Sequence, residues 1–288
     1  MEKTMVRWIR FLLVFVPMSC GFPGCAGTSS GTLTSSTMTV TFDIDSGTFH
    51  VESAGSGLSI REAYSTVETT FGSFSTRDSR YRRSCRIEEE IGLPGSASRF
   101  IVECIDSEKV LDLSLEFTLD DSGALDLRTT AVNRSGEPLS LTEILPLVSA
   151  ADKGGVGFSD PLNLAISTEG YMFADQGTVT SFKQDPRLAS WWSVLLFDPA
   201  SLNSLLVGYL EHRNSEGILE LTHSGENGHA DRFSLTAHST FIVEDWVREK
   251  GDWGTDTTKA WIDVPGLRPV TLQPGSSIDS DTLTIQLG

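Results

Sequence analysis

The sequence predicts an all-β protein built as a large, antiparallel, two-sheet β-sandwich. Apolar and polar residues alternate in short runs along the chain, and clusters of Gly, Pro, Asn, Asp and Ser separate these runs. We find no apolar stripe at helical spacing that extends over about 12 residues. Many short strands with frequent turns favour a sandwich or a barrel, and a length of 288 residues favours a sandwich of two large sheets.

The first predicted strand pair is a hairpin over residues 38–51. Apolar residues occupy every second position from Met38 to Ile44, and a turn of Asp45, Ser46 and Gly47 follows. The spacing of Asp43 and Asp45 is also typical of the start of a calcium loop, but the later ligands of such a loop are missing from the sequence. We therefore interpret this segment as a hairpin turn.

Later segments repeat the period of two, which predicts strands with one buried face. We find no internal repeat and no linker after residue 37, so residues 38–288 are predicted to form a single β-sandwich domain. The alternating segments are 111–119, 125–127, 233–237 and 283–287, and turn signals stand at 92–95, 120–123, 133–136, 224–228 and 273–275.

Residues 1–26 have the features of a secretory or lipoprotein signal segment. Lys3, Arg7 and Arg10 precede an apolar run over residues 11–16, and small residues follow. The run is far shorter than the ~20 residues that a membrane-spanning helix needs. We expect an exported protein that is secreted, periplasmic or lipid-anchored at the cell envelope, with no membrane span.

Two cysteines and a flexible segment bear on lipid anchoring. Cys20 and Cys25 are both candidates for lipidation, although Pro17 and Phe22 stand where a lipoprotein signal usually has Leu. Plain cleavage near Ala26 is the alternative. Residues 27–37 are rich in Ser, Thr and Gly, which predicts a flexible tether.

The charge of the chain excludes one class of partner. The formal net charge is −17, and an acidic surface repels the phosphate backbone of nucleic acids and anionic membrane surfaces. The hydrophobic content of 39% is ample for a packed core and too high for a disordered chain. We therefore expect a folded protein with no nucleic-acid partner.

Cys85 and Cys104 are candidates for a disulfide. They flank the predicted turn at 92–98 almost symmetrically, so in a simple hairpin they would face each other across two strands. An exported protein can form such a bond. The alternative is two separately buried thiols.

No recognised catalytic or metal-binding motif stands out in the sequence. The five histidines are scattered, and neither they nor the cysteines have the spacing of a zinc site. We predict no metal and no cofactor, and the motifs assign no catalytic residue.

The tryptophans are the candidates for carbohydrate binding, because the apolar face of a sugar ring stacks on an aromatic ring. Trp191 and Trp192 are adjacent, and since neighbouring strand residues point to opposite faces, at most one of them can lie in the core. Trp246 and Trp253 lie in a charged segment that is too polar to bury easily. The alternative is that these residues close the rim of the sandwich.

Several segments together resemble one known domain. They lie at residues 46–51, 58–64, 76–81, 111–119, 131–139, 141–146, 190–194, 204–210 and 272–275, with Ser280. The chain resembles the N-terminal β-supersandwich domain of glycoside hydrolase family 36, the α-galactosidase or melibiase group. This resemblance implies a galactose mutarotase-like sandwich and a galactoside-type carbohydrate partner.

The family's catalytic chemistry does not accompany this domain. The resemblance implies that the two catalytic aspartates belong to a following (β/α)8 barrel, which this sequence does not include. Lys183, Gln184 and Asp185 match the Lys-x-Asp pattern of the nucleophile, but Pro186 follows them and the context is not that of a barrel strand. We carry over no catalytic residue.

Three functions are compatible with these observations. The first is an exported, non-catalytic, carbohydrate-associated module. The second is an incomplete α-galactosidase-like hydrolase that pairs with a separate catalytic barrel protein or domain, which predicts an exposed apolar face. The third is a mutarotase-type sugar epimerase, which requires a histidine that shares a cleft with an acid such as Glu211, Glu220 or Glu244.

Overall fold

The structure, a computed structural model, describes residues 30–89, 97–169, 177–211, 215–223, 230–241 and 269–288. Within these residues the chain forms two antiparallel sheets and no α-helix, with one short 3-10 turn at Pro161–Asn163. The predicted all-β, two-sheet sandwich is confirmed. The strands are β1 (Ser30–Thr34), β2 (Met38–Asp43), β3 (Thr48–Ser53), β4 (Ser59–Thr69), β5 (Gly72–Ser75), β6 (Tyr81–Glu89), β7 (Ser98–Asp106), β8 (Leu111–Leu119), β9 (Ala124–Asn133), β10 (Leu139–Ser149), β11 (Gly155–Gly157), β12 (Ala165–Thr168), β13 (Thr178–Thr180), β14 (Arg187–Trp191), β15 (Ser193–Phe197), β16 (Ser204–Tyr209), β17 (Glu216–Thr222), β18 (Arg232–Thr240), β19 (Val270–Leu272), β20 (Ser277–Asp279) and β21 (Leu283–Leu287).

Strand order differs from chain order in both sheets. The first sheet runs β1-β2-β3-β4-β10-β18-β17-β14, with β5 beside β4, β19 beside β10, and β11 between β4 and β18. The second sheet runs β13-β12-β15-β16-β21-β9-β8-β7-β6, with β20 beside β9. The centre of each sheet is therefore assembled from strands that are far apart in the sequence.

Phenylalanine rings join the two sheets at one end of the core. The Phe49 ring of the first sheet meets the Phe117 ring of the second edge to face, with 5.2 Å between centroids. Phe117 stacks on Phe100 at 4.7 Å, and Phe100 contacts Phe42 of the first sheet. All four side chains are fully buried. Such contacts add to the stabilisation that comes from burial of apolar area.

The outer face of the second sheet carries ion pairs towards one edge and three exposed apolar side chains towards the other. Arg86 and Arg99 form ion pairs with glutamates along β6, β7 and β8. Towards the other edge, Val179, Leu195 and Phe197 are exposed, Val179 by 74%. Val179 and Leu195 both pair with Ser167, so they share one row across the strands. Ser167 separates Val179 from Leu195, so the exposed apolar side chains near this edge stand in a mixed surface.

Strand β1 corrects the predicted tether. Residues 30–34 were expected to be flexible, but they pair with β2 from Ser30↔Asp43 to Thr34↔Thr39. Leu33 is buried, and the hydroxyls of Thr32 and Thr41 are in hydrogen-bond contact. Composition alone predicted flexibility here, whereas one buried Leu and a neighbouring strand edge are enough to order a short segment.

The predicted hairpin over residues 38–51 is confirmed by the pairing of β2 with β3. Asp43 closes its turn, because its carboxylate accepts hydrogen bonds from the backbone N–H of Asp45 at 2.9 Å and from the Ser46 hydroxyl at 2.9 Å. Those hydrogen bonds lower the pKa of Asp43, although burial opposes the shift. The segment is a turn, as the sequence predicted.

The expected alignment of the two cysteines is wrong. Strands β6 and β7 do form a hairpin, but Cys85 pairs with Val102 and Cys104 pairs with Arg83. The cysteines are therefore diagonal neighbours, at a separation of about 7–8 Å that is too long for a typical disulfide. Register is set by which residues face the core rather than by the midpoint of the turn. Both residues are buried thiols.

We expect Cys104 to resist alkylation in the folded protein. Burial raises the pKa of its thiol to about 12, so almost none of the reactive thiolate is present near neutral pH. Iodoacetamide treatment before and after unfolding, followed by mass spectrometry of the tryptic peptides, measures the difference. A non-reduced digest in which the Cys85 and Cys104 peptides remain joined would contradict the structure.

Candidate functional site

The outer face of the first sheet carries a cluster of one histidine and two glutamates. Because Leu235 and Ala237 of β18 face the core, His238 points to the outer face. Glu220 on β17 and Glu143 on β10 flank it from the two neighbouring strands. We call these three residues the acid–histidine cluster.

His238 lies between the two carboxylates. Its Nδ1 is 2.7 Å from Oε1 of Glu143 and its Nε2 is 3.7 Å from Oε2 of Glu220. The histidine is only 7% exposed, whereas both glutamate side chains retain some exposure. The cluster is therefore partly open to the outer face of the sheet.

The pKa of His238 is strongly raised. Burial by itself would lower this pKa, but the hydrogen bonds and charges of Glu143 and Glu220 outweigh it and raise the value to about 9. His238 is thus an imidazolium at neutral pH. With two carboxylates around one cation, the cluster retains net negative charge and oxygen atoms that can accept further hydrogen bonds.

Strand β10 has irregular pairing with both β4 and β18 close to Glu143. The register of β10 shifts against β18 between Ile144 and Leu147, and also shifts against β4. Such bulges change the direction of side chains and occur frequently beside functional sites. The carbonyl of Pro146 in the bulge accepts a hydrogen bond of 2.6 Å from the Ser65 hydroxyl. This backbone carbonyl therefore has a hydrogen-bond partner although it lies where the strand pairing is irregular.

Trp191 lies in the same row across the strands as His238. It pairs with Ile218 on β17, and Ile218 pairs with His238 on β18. Two strand spacings separate Trp191 from His238, which is about 10 Å. Since Trp191 is only partly buried, an indole ring and the acid–histidine cluster share one surface.

Trp192 occupies a strained corner. Its φ is +66°, which is unfavourable for a bulky residue. Here the chain leaves β14 of the first sheet for β15 of the second. The backbone N–H of Trp192 donates to the Gly217 carbonyl, and the Trp192 carbonyl accepts a hydrogen bond from the Tyr209 N–H.

Glu216 lies beside this corner. Burial raises the pKa of the Glu216 carboxyl, and a hydrogen bond with the Trp192 side chain opposes that shift.

A polar cleft of about 510 Å³ lies on the same outer face, over β4, β5 and β10. Tyr64, Glu68 and Val148 line it, and the guanidinium of Arg77 lies 4.9 Å from the centre of the Tyr64 ring. Glu68 pairs directly with Glu143 in the register of β4 and β10. The cleft therefore adjoins the acid–histidine cluster.

Of the remaining predicted residues, two acids lie in the described part of the chain and the others lie outside it. Glu211, one of the acids proposed to accompany a histidine, instead lies 3.5 Å from Arg128 and accepts a hydrogen bond from Thr282. Glu220 does lie beside a histidine, as the third function requires. The predictions that lie outside the described residues concern Cys20, Cys25, Trp246, Trp253 and Glu244.

Sequence reasoning did not single out Glu143 or choose His238 among the five histidines. The available signal was weak: Glu143 is the one charged residue of β10, and His238 follows an alternating run. Neither pattern distinguishes a site from an ordinary outer-face residue. Their contact depends on β10 and β18 lying side by side.

Solved structures of sugar-active proteins share this fold. A glycoside hydrolase family 36 α-galactosidase from Geobacillus stearothermophilus, in complex with 1-deoxygalactonojirimycin, matches with a TM-score of 0.57 and 10% identity, over 90% of this chain and 40% of that chain. An α-N-acetylgalactosaminidase from Bifidobacterium bifidum, in complex with GalNAc, matches with a TM-score of 0.51 and 10% identity, over 90% of this chain and 36% of that one.

A third similar structure is of comparable length to this chain. A protein from Escherichia coli assigned as an aldose 1-epimerase matches with a TM-score of 0.52 and 9% identity, over 90% of this chain and 98% of its own. No protein-family model matches the sequence, and no curated protein matches it. The likeness confirms the predicted resemblance at the level of the fold, and the chain spans about two fifths of the length of the hydrolases it resembles.

No helix among the residues that the structure describes is long and apolar enough to cross a membrane.

We expect the stability of the protein to fall as pH rises through the pKa of His238. The pKa of His238 is about 9 in the folded protein, against a reference value of 6.5. The contribution of His238 to the free energy of unfolding is therefore complete below pH 6.5 and is lost as pH rises through 9. Urea denaturation across this window should show a decrease of a few kcal/mol in the free energy of unfolding.

The variant His238→Gln should flatten this pH dependence. His50→Gln is the matched control, because His50 lies 3.7 Å from Glu62 but is more exposed than His238. Equal pH slopes for the wild type and His238→Gln would contradict the assignment of the raised pKa.

Proposed function

We propose that this chain is an exported, non-catalytic, carbohydrate-binding β-sandwich, and that a sugar binds on the outer face of the first sheet. The observation that carries the proposal is the shared row of Trp191 and His238, with Glu143 and Glu220 beside it. Trp191 offers a ring on which the C–H face of a sugar can stack, and the carboxylates accept hydrogen bonds from its hydroxyls.

The environment of His238 favours binding over catalysis. A general acid or base must reach the reacting atom and exchange protons with it. His238 is nearly buried, and a carboxylate lies beside each of its ring nitrogens. Its role in this proposal is to order the two carboxylates and to offset their charge, so that they present fixed acceptors to the ligand.

The proposed ligand is a galactoside-type sugar. The solved α-galactosidase and α-N-acetylgalactosaminidase that share the fold hold galactose-type ligands, and this chain has an aromatic and carboxylate surface of the matching chemistry. Export is supported by residues 1–26, with Cys20 or Cys25 as the lipid-bearing residue if the protein is anchored.

The variant Trp191→Ala should weaken sugar binding about fivefold or more, since loss of an aromatic stacking contact costs on the order of 1 kcal/mol or more. Isothermal titration calorimetry with galactose and raffinose measures the change. The matched control is Phe197→Ala, because Phe197 is an exposed aromatic residue on the outer face of the second sheet. Trp246→Ala and Trp253→Ala test whether the other tryptophan pair contributes.

Two results would count against the proposed surface. One is unchanged affinity in Trp191→Ala, and the other is an equal loss in Phe197→Ala. Circular dichroism of each variant separates loss of binding from loss of folding.

A mutarotase-type sugar epimerase is the second candidate. One observation favours it: the structure brings Glu220, one of the acids named from the sequence, within 3.7 Å of a histidine. Interconversion of anomers requires a base that removes the anomeric hydroxyl proton and an acid that protonates the ring oxygen. Glu220 as base and His238 as acid would fill these roles.

For this candidate, polarimetry of freshly dissolved α-galactose gives a direct test. An epimerase accelerates the change in rotation above the rate in buffer, and Glu220→Gln should reduce that acceleration about 100-fold or more. Glu62→Gln, in the second histidine–glutamate pair, is the control. A wild-type rate equal to that in buffer eliminates the epimerase and leaves the binding module.

The exposed apolar side chains of Val179, Leu195 and Phe197 support the proposal of a protein partner on the outer face of the second sheet. A catalytic barrel protein or domain, as in the incomplete-hydrolase alternative, is a partner that could cover these apolar side chains. This partner would make the chain a non-catalytic component of an α-galactosidase-type assembly.

A further inference from the structure

A second cleft lies near the other end of the outer face of the first sheet. Its volume is about 370 Å³, and Arg61 of β4 and Arg232 of β18 both line it. Arg232 and His238 are six positions apart on β18, which is about 20 Å along a strand. The cleft is therefore distinct from the acid–histidine cluster.

Strand β11 separates the two arginines and consists largely of glycine. Gly155 pairs with Arg61, and Gly157 pairs with both Ser59 and Arg232. A Cβ atom at Gly157 would come within 3.3 Å of the Ser59 hydroxyl oxygen. Since Val156 is buried, β11 contributes no side chain to the outer face between the two arginines.

The carboxylates near these arginines are exposed, and Asp231 itself lines the cleft. Glu52 lies 3.5 Å from Nη2 of Arg61, and Asp231 lies 3.4 Å from Nε of Arg232. Both carboxylates are more than half exposed, and exposed ion pairs of this kind are weak. Arg232 also donates from Nη1 to the Gly154 carbonyl at 3.3 Å.

Each guanidinium group has five N–H donors in a planar fork. The contacts above use only some of them, so both arginines can offer donors to a ligand. Ser56, Ser59 and Asn203 add polar groups around the same space. The Asn203 amide donates to the Ser56 carbonyl at 3.1 Å, which fixes one wall of the cleft.

We propose that this cleft binds a small anion, such as the carboxylate of a sugar acid or a phosphate group. Two arginines on either side of a glycine strand match the oxygens of such groups through paired, charge-assisted hydrogen bonds. The chain as a whole carries a net charge of −17, so attraction of an anion depends on this local arrangement. The proposal does not depend on the sugar site at Trp191.

Calorimetric titration of the full chain with galacturonate, inorganic phosphate and galactose tests the proposal. We expect galacturonate or phosphate to bind with a dissociation constant in the millimolar range or below, and the affinity to fall as salt is added. Arg61→Gln and Arg232→Gln should each weaken binding of the anion about tenfold. Binding of galacturonate alone identifies a sugar acid as the ligand class, and equal binding of phosphate identifies a free anion.

Controls distinguish this cleft from other sites. Arg99→Gln removes an arginine that pairs with Glu116 on the second sheet, and it should leave the affinity unchanged. Trp191→Ala should leave the affinity for phosphate unchanged, because phosphate has no sugar ring to stack on the indole, so failure of the sugar site and failure of the anion cleft are separable. The proposal is overturned if neither anion binds, or if both arginine variants bind as the wild type does.

Discussion

The packing of two sheets through their apolar faces is the constraint on which the rest of this structure depends. A strand that places every second side chain in the core must place the others on the outside. The rings of Phe42, Phe49, Phe100 and Phe117 meet between the sheets, and the same alternation directs His238 and Glu220 outwards. Both proposed ligand sites therefore lie on the outer face of the first sheet.

Several polar side chains between the sheets are hydrogen-bonded to one another. The Ser215 hydroxyl donates to the Asp281 carboxylate at 2.7 Å and also contacts the Ser239 hydroxyl. The Thr129 hydroxyl donates to Ser65 at 3.2 Å, across the two sheets. Burying such groups is costly unless they are paired, so these networks restrict how one sheet can be placed on the other.

The acid–histidine cluster shows how charge can be held on a half-buried surface. A buried cation without partners would lose its proton, but Glu143 and Glu220 stabilise the imidazolium of His238. Removal of one partner from such a group usually costs more than the net value of the interaction, since the remaining charges are left unpaired. The cluster thus links the stability of three central strands to the chemistry of the proposed sugar site.

The sequence by itself determined the fold class, the β2–β3 hairpin and strands β8, β18 and β21, because these follow from local alternation and turn residues. It also indicated Trp191 as a ligand-binding candidate. Composition alone was insufficient at residues 30–34, where an adjacent strand edge orders a segment that looked flexible.

Only the tertiary structure decided the contacts between distant strands. It set the register that makes Cys85 and Cys104 diagonal neighbours, and it brought Glu143 to His238. It also placed β11 between Arg61 and Arg232. These outcomes depend on strand order and register, which come from the packing of whole faces rather than from any local pattern of residues.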